Sequence, residues 1–234
     1  MTPSEAPNSS YFSGFSRKTL DFLEQVHRRN SRSWFEEHRD EYEQNLLYPF
    51  RSLAAALSSI ITEIDPELET NPLRVVSRIH RDIRFSHDKS LYKKSMWLTF
   101  RRRIEGWQDS PAFYFEVTPE FYRFGMGYYV ISRETMDRIR HIIETKERLF
   151  RRHLSALLAI PGMEVAGEAY KRTINAAIPE DLQPLYQKKE LYLVVNREID
   201  ELLFSKELVP DLEICFGKLA GFYRFLRDVK SGVQ

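Results

Sequence analysis

The residues best suited to chemistry lie in one short segment, residues 78–103, which carries nine basic side chains and two acidic ones. Its formal charge is +7, although the whole chain carries only +1, so the remaining residues carry −6. A local positive field attracts anions, and phosphate-bearing ligands are the common cellular case. The segment therefore predicts a site for an anionic ligand.

The centre of this segment reads RIHRDIRFSHDKSLYKK, from Arg78 to Lys94. Arginine suits an anion site because its planar guanidinium can make two parallel hydrogen bonds to a phosphate or a carboxylate. Serine can add a hydroxyl donor, and a tyrosine can close one side of such a site. The candidate anion-binding residues are Arg78, Arg81, Arg84, Ser86, Lys89, Tyr92 and Lys93.

Arg81 stands out because of the pattern around it. Ile79, Ile83 and Phe85 alternate with polar residues, which predicts a strand, and Arg81 falls on the apolar face of that strand. A buried guanidinium needs a carboxylate or a ligand anion, since an unpaired buried charge is very costly. The possible carboxylate partners are Asp88, Glu36, Glu37 and Glu116.

Three functional interpretations stay open from the residues alone. The protein is a module that binds an anionic small molecule, an enzyme acting on a phosphorylated or carboxylated substrate, or a structural protein whose basic segment forms only ion pairs. In the enzyme, Asp88 or Asp82 is the candidate acid or base, with Arg81 and Arg84 as an electrostatic clamp and Tyr92 or Lys89 as proton donor. Asp88 is favoured over Asp82 because it lies in a loop, although there it can equally cap its own backbone.

Other chemistry has weaker support in the sequence. Arg101, Arg102 and Arg103 precede Trp107 and could contact nucleic acid, but a solvated strand end is favoured because the overall charge is near zero. The six histidines show no metal-ligand spacing, and no metal or cofactor is predicted. Cys215, the single cysteine, falls on an apolar helical face and is predicted to be a core residue.

The Arg78–Lys93 pattern resembles the motif R-I-x-R-D-x-R-F-S-x-D-K-x-P-Y-K of an uncharacterised bacterial and fungal family catalogued as a domain of unknown function. Leu91 stands where that family usually has proline. Asn30 followed by Trp34-Phe35 is similar to the N-N-x-x-W-F motif of the family, and Tyr114 with Gly125-x-Gly127 is similar to its glycine-rich strand. The resemblance implies an α+β domain with a shared site and brings no established activity.

The elements that position this segment follow from periodicity and capping residues. Helices are predicted before the segment, strands in the middle and helices after it, which is the order of an α+β fold. The sheet is expected to be mainly antiparallel, with four or five strands, and Gly125 and Gly127 to mark a bulge or a close backbone approach. Predicted helices begin near Ser16, Ser33, Pro49, Ser132 and Pro210, and predicted strands cover residues 79–85, 96–100, 113–118, 121–131 and 190–195.

The length of 234 residues and the absence of a Gly/Ser-rich or Pro-rich linker predict a flexible tail over residues 1–11 and a single domain over residues 12–234. No apolar run approaches the roughly 18 residues of a membrane helix. The first ten residues lack the features of a secretory signal. A cytoplasmic location and no membrane partner are therefore predicted, and the oligomeric state stays open.

Overall fold

A five-stranded antiparallel sheet forms the centre of the computed structural model, which describes residues 11–82 and 88–231. The strand order is β1-β2-β3-β5-β4, and every neighbouring pair is antiparallel. Helices come before and after the sheet in the chain, so the predicted α+β class and strand number are confirmed. The strands are β1 Met96–Phe100, β2 Pro111–Val117, β3 Phe121–Tyr128, β4 Met163–Ala166 and β5 Tyr192–Glu198.

Alternation along the strands divides the sheet into two faces. In β2, Phe113, Phe115 and Val117 are completely buried, whereas Tyr114 and Glu116 between them point to the other face and are only half-buried. This two-residue period is the pattern that predicted the strand. One face of the sheet is therefore a helix-packed core face, and the opposite face is open.

The helices cover the core face. The long helices α4 and α9 pack on each other, α4 contacts β1, and α9 contacts β2 and β3. In the described residues the helices are α1 Arg17–Arg29, α2 Arg32–Glu37, α3 Arg39–Tyr42, α4 Tyr48–Ile64, α5 Pro72–Val75, α6 Arg133–Thr145, α7 Glu147–Leu158, α8 Gln183–Tyr186 and α9 Leu208–Ser231. A π-helical turn, Glu43–Leu47, joins α3 to α4, and a 3₁₀ turn, Trp107–Asp109, precedes β2.

Capping residues explain where several helices begin and end. Ser16 caps α1, and Asn30 ends it in the left-handed conformation with φ of 45°. Ser132 caps α6 by accepting the backbone N–H of Thr135, as its sequence position predicts. Pro49 lies in the first turn of α4, where a missing N–H costs nothing. These predicted starts are confirmed.

Two predicted helix features differ in the structure. The second helix was expected to begin at Ser33, but Ser31 is its N-cap and accepts the backbone N–H of Trp34. The apolar period after Ser132 predicts one long helix up to Pro161-Gly162, but the structure divides it at Lys146, whose φ of −131° leaves the helical region. Apolar periodicity continues through that break, and so the sequence pattern does not reveal it.

Two glycines, Gly125 and Gly127, lie in the middle of β3. Gly125 and Gly127 sit in an uninterrupted register with β2 and β5, so the bulge interpretation was wrong and the close approach is confirmed. A Cβ atom on Gly125 would lie 1.9 Å from the carbonyl oxygen of Leu193.

Cys215 is buried in the core, as predicted. Within residues 11–82 and 88–231, none of the helices has the length and apolar character needed to cross a bilayer.

Candidate functional site

The basic segment begins as a short hairpin rather than a regular strand. The backbone N–H of Arg81 donates to the carbonyl of Leu91 at 2.9 Å, and that of Lys93 donates to the carbonyl of Ile79 at 3.0 Å. Among the described residues, the pairing there amounts to one isolated bridge, between His80 and Tyr92. Residues 79–82 are therefore not part of a regular strand, and the predicted strand was wrong for them. Ile83, Arg84, Phe85, Ser86 and His87 lie outside the described residues.

Arg81 has the carboxylate partner that its sequence position predicts. Its Nη2 atom lies 2.9 Å from an oxygen of Asp88, and its Nε donates to the hydroxyl of Ser90 at 3.1 Å. Burial is shallower than predicted, since 25% of the Arg81 side chain is exposed. The strand argument overestimated burial because the residue lies in the short hairpin.

Asp88 has two structural contacts. One carboxylate oxygen accepts the backbone N–H of Ser90 at 2.9 Å, which is the turn-capping arrangement, and the other pairs with Arg81. The hydrogen bonds from Ser90, with a smaller contribution from the charge of Arg81, lower the pKa of Asp88 below its usual value. A carboxylate held in its charged form is a better structural anion than a proton carrier. Asp82, the other candidate acid, is exposed.

Acidic residues from other elements pair with several cations of the segment. Lys94 pairs with Glu120, Arg102 with Asp65 at 2.8 Å, and Arg103 with Glu69 at 3.5 Å. These ion pairs neutralise part of the +7 charge. They also engage two of the three arginines on which the nucleic-acid interpretation depended.

Lys93 differs from these paired cations. Its Nζ atom lies 3.7 Å from the centre of the Trp97 ring, and no acidic group of the described residues lies within ion-pair distance of it. Burial, followed by the like charge of Arg81, lowers the pKa of Lys93 to about 8, and Glu116 opposes the shift. The ammonium is therefore held where its charge is poorly compensated.

The open face of the sheet carries a cleft of about 350 Å³, and Trp97, which contacts the Lys93 ammonium, is one of its lining residues. Trp97 pairs across the strands with Glu116, and Glu116 pairs with Arg123, whose Nε lies 2.5 Å from the Glu116 carboxylate. This row forms one end of the cleft. The other end contains Trp107 and Tyr129, whose ring centres lie 5.5 Å apart. The remaining lining residues include Thr99, Ala112, Tyr114, Gly127 and Tyr192.

The floor of the cleft depends on glycine. Ala112 and Gly127 are directly opposite each other on β2 and β3, so the floor there is nearly all backbone. A Cβ atom on Gly127 would lie 2.3 Å from the Cβ of Tyr192. Tyr114 crosses β3 above Gly125, because its hydroxyl donates to the Leu193 carbonyl at 3.3 Å. The glycines therefore let aromatic side chains approach the sheet surface closely.

Two larger depressions lie along α6, with volumes of about 660 and 540 Å³. Their polar groups have structural contacts: Arg138 pairs with Glu134, and Arg140 pairs with Asp137. Arg140 also donates to the carbonyls of Tyr186 and Lys188, which fixes the chain after α8. The smaller cleft on the sheet is the better candidate site, because its lining is aromatic and it adjoins the basic segment.

A family model described as a conserved hypothetical protein, DUF2461, matches residues 18–225. The chain belongs to the DUF2461 family. The match covers α1 to most of α9, and with it the whole sheet and the cleft. No curated protein matches the chain.

In this DUF2461 protein, two of the three sequence patterns that carried the resemblance, Asn30…Trp34-Phe35 and the Arg78–Lys93 motif, contact each other. The side-chain oxygen of Asn30 accepts the backbone N–H of Leu91 at 2.6 Å. Phe35 stacks on Tyr92 with 4.9 Å between ring centres, and Tyr92 is 1% exposed. Tyr92 therefore packs in the core and supports the hairpin from beneath, rather than closing the side of a pocket.

The other sequence candidates are placed as follows. Arg78 and Lys89 are exposed. Burial, followed by the charge of Arg39 and with a smaller contribution from Arg78, lowers the pKa of His80. Within the described part of the chain, no cluster of three or more His, Cys, Asp or Glu residues has a metal-binding arrangement. Sequence reasoning missed the cleft, although the aromatic residues at non-core positions of β1, β2 and β5 were its signal.

Proposed function

We propose that this DUF2461 protein binds a small anionic ligand, bearing a phosphate or a carboxylate, at Lys93 and Arg81. One observation carries the proposal: Lys93 and Arg81 are both partly buried in the same hairpin, where burial first and the charge of Arg81 second lower the pKa of Lys93. An anion placed between them would replace this repulsion with attraction on both sides. The site is therefore electrostatically prepared for a negative charge.

The surrounding contacts hold this arrangement in place. Arg81 is oriented by Asp88 and Ser90, and Lys93 by the face of Trp97. Fixed cations bind an anion with less loss of side-chain entropy than mobile ones. The exposed residues Arg78 and Lys89 stay candidate contacts, as do Arg84 and Ser86 outside the described residues.

Binding is favoured over acid–base catalysis by the state of Asp88. Both its oxygens have structural contacts, and its pKa is lowered, whereas a general acid or base works best with a pKa near the working pH. The enzyme alternative therefore has less support at this residue than the binding function.

The test is a thermal-melt titration with inorganic phosphate and citrate at pH 7, comparing the wild type with Lys93→Gln and Lys94→Gln. The second variant is the matched control, because Lys94 is adjacent in sequence but already pairs with Glu120. Phosphate at about 100 times its Kd should stabilise the wild type by about 2.7 kcal/mol. This gain should vanish in Lys93→Gln and persist in Lys94→Gln.

The proposal fails if neither anion shifts the melt, or if the shift is the same in Lys93→Gln. Repeating the titration at 0.5 M NaCl separates a specific site from general attraction, because salt screens exposed charges more strongly than half-buried ones.

A further inference from the structure

The geometry points to a ligand that carries a planar aromatic ring in the open-face cleft and an anionic group at the Lys93 end, as in a nucleoside monophosphate. The anionic half of this inference rests on the function proposed above, whereas the ring half rests on the cleft alone. The two halves are separable by experiment.

Aromatic side chains surround a flat floor in this cleft. Ala112 and Gly127, which are directly opposite each other, contribute a floor with almost no side chain to a lining that also includes Trp107 and Tyr114. A flat surface flanked by aromatic rings favours a planar guest, because stacking requires parallel faces at van der Waals distance. A branched aliphatic group would leave much of this flat surface uncovered.

Cations lie at both ends of the cleft and are stacked on its two tryptophans. Lys93 lies over Trp97 at 3.7 Å, and Arg101 lies over Trp107 with 4.0 Å from its guanidinium carbon to the ring centre. The lining thus combines aromatic stacking surfaces with positive charge, the combination that binds bases together with their phosphates. Thr99 and Glu116 supply polar atoms along the same surface for the heteroatoms of a ring.

The dimensions limit the ligand to one small molecule. The floor at Ala112 and the Glu116–Arg123 ion pair at the Lys93 end are separated by four residues along β2, or about 13 Å at the rise of an extended strand. The volume of about 350 Å³ lies at the lower end of the range for small-molecule pockets. An extended ligand with its ring at one end and its anion at the other fits this shape, and a polymer does not.

The experiment compares three probes, AMP, adenosine and inorganic phosphate, by intrinsic tryptophan fluorescence and calorimetry. Trp97 and Trp107 both line the cleft, so a stacked ring should quench them, and Trp34→Phe removes the emission of the third tryptophan. AMP should bind at least 10-fold more tightly than phosphate, and adenosine should quench the fluorescence even without a phosphate.

Two variants test the location. Trp107→Ala removes one wall of the cleft. It should lower the affinity for AMP about 10-fold and leave the affinity for phosphate unchanged. Tyr129→Ala should have a smaller effect in the same direction, and its side chain is 72% exposed, so the fold should not suffer. Tyr170→Ala, which removes an exposed tyrosine outside the cleft, is the matched control and should bind AMP like the wild type.

The outcomes separate the two proposals. If phosphate and AMP bind equally and Trp107→Ala changes neither, the ring inference is overturned and the anion function stands. If adenosine binds and phosphate does not, the cleft binds rings and the anion function is wrong. A single-stranded oligonucleotide that binds far more tightly than AMP, with a steep salt dependence, would overturn the small-molecule ligand.

Discussion

Two half-buried cations at opposite ends of β1 have opposite environments. Arg102 follows the strand and donates to the carboxylate of Asp65, which raises the pKa of Arg102 above its usual value. Lys93 precedes the strand, and burial with the like charge of Arg81 lowers its pKa to about 8. The comparison teaches that a buried cation with an acid partner stabilises the fold, whereas one held beside another cation has an unfavourable interaction, on which the proposed anion site depends.

Asp65 is the centre of a structural junction that holds elements of the fold together. Asp65 is 2% exposed and accepts hydrogen bonds from Arg102 Nε at 2.8 Å, the Tyr223 hydroxyl at 2.7 Å and the Glu67 backbone at 3.0 Å. Burial alone would raise the pKa of this carboxyl, but the hydrogen bonds from Arg102 and Tyr223 outweigh it and lower the pKa. The junction joins the end of α4 to β1 and α9.

The largest expected effect is therefore at Asp65. Replacing it by Ala leaves Arg102 and the Tyr223 hydroxyl without their buried acceptor, which should cost about 3 kcal/mol. The melting temperature should fall by roughly 6–12 °C at pH 7. Glu120→Ala is the control and should melt close to the wild type, because it removes an exposed partner. If the melting temperature of Asp65→Ala lies within about 2 °C of the wild type, the Asp65–Arg102 pair does not stabilise the fold as stated.

The loss of stability caused by Asp65→Ala should become smaller in acid. The folded-state pKa of Asp65 lies below its unfolded value of about 3.9, so the unfolded protein binds the proton first as pH falls. The stabilisation is therefore complete above about pH 4 and disappears as pH falls through the lower folded value. Chemical unfolding at pH 7 and pH 3 should show the difference between wild type and Asp65→Ala shrinking in acid.

A smaller effect is expected at Arg81. Its partner Asp88 is exposed, and solvent screens such a pair, so Arg81→Ala should lower the melting temperature by clearly less than Asp65→Ala. A double-mutant cycle with Asp88→Asn should give a coupling weaker than the cycle for Asp65 and Arg102. An equal or larger coupling would mean that the hairpin, rather than the Asp65 junction, is the principal ion pair of this segment.

The smallest change in melting temperature is expected at Lys93, where substitution should raise it rather than lower it. Lys93→Met removes a poorly compensated charge and keeps a contact with Trp97, so it should raise the melting temperature at pH 7 by a few degrees. Between about pH 8 and 10.4 the unfolded chain retains the Lys93 proton and the folded protein does not. The wild type thus gains stability as pH rises through this window, and the advantage of the variant should fade by pH 10.

Lys94→Met is the control for this measurement, because its ammonium pairs with Glu120 and its pKa is raised. It should bring no gain at pH 7. If Lys93→Met is less stable than the wild type at that pH, the contrast between the two ends of β1 is wrong.

The sequence predicted what depends on local patterns. Ser16 and Ser132 marked helix starts, the alternation of Phe113 and Phe115 marked a strand, and the proximity of Asp88 along the chain made it a partner for Arg81. The predicted strand through residues 79–82 failed because alternation does not say whether a neighbouring strand continues the hydrogen-bonded ladder.

The cleft lay beyond sequence reasoning for a different reason. Trp97, Tyr114 and Tyr192 are up to 95 positions apart, and only the strand order β1-β2-β3-β5 brings them to one surface. Periodicity placed each residue opposite the core but did not indicate which strands are neighbours. The low pKa of Lys93 likewise depends on burial beside Trp97 and on the position of Arg81, neither of which is a local property.

The position of α9 has a consequence for biosynthesis. This helix contacts α4, α6, α7, β2 and β3, yet it is the last of the described elements to leave the ribosome. Until it emerges, Phe113 lacks the aromatic rings of Phe216 and Tyr223, which lie 5.2 and 5.1 Å from its own in the folded protein. The apolar side of the β2–β3 hairpin therefore stays without its α9 cover while residues 129–231 are translated, and exposed apolar surface of this kind favours aggregation.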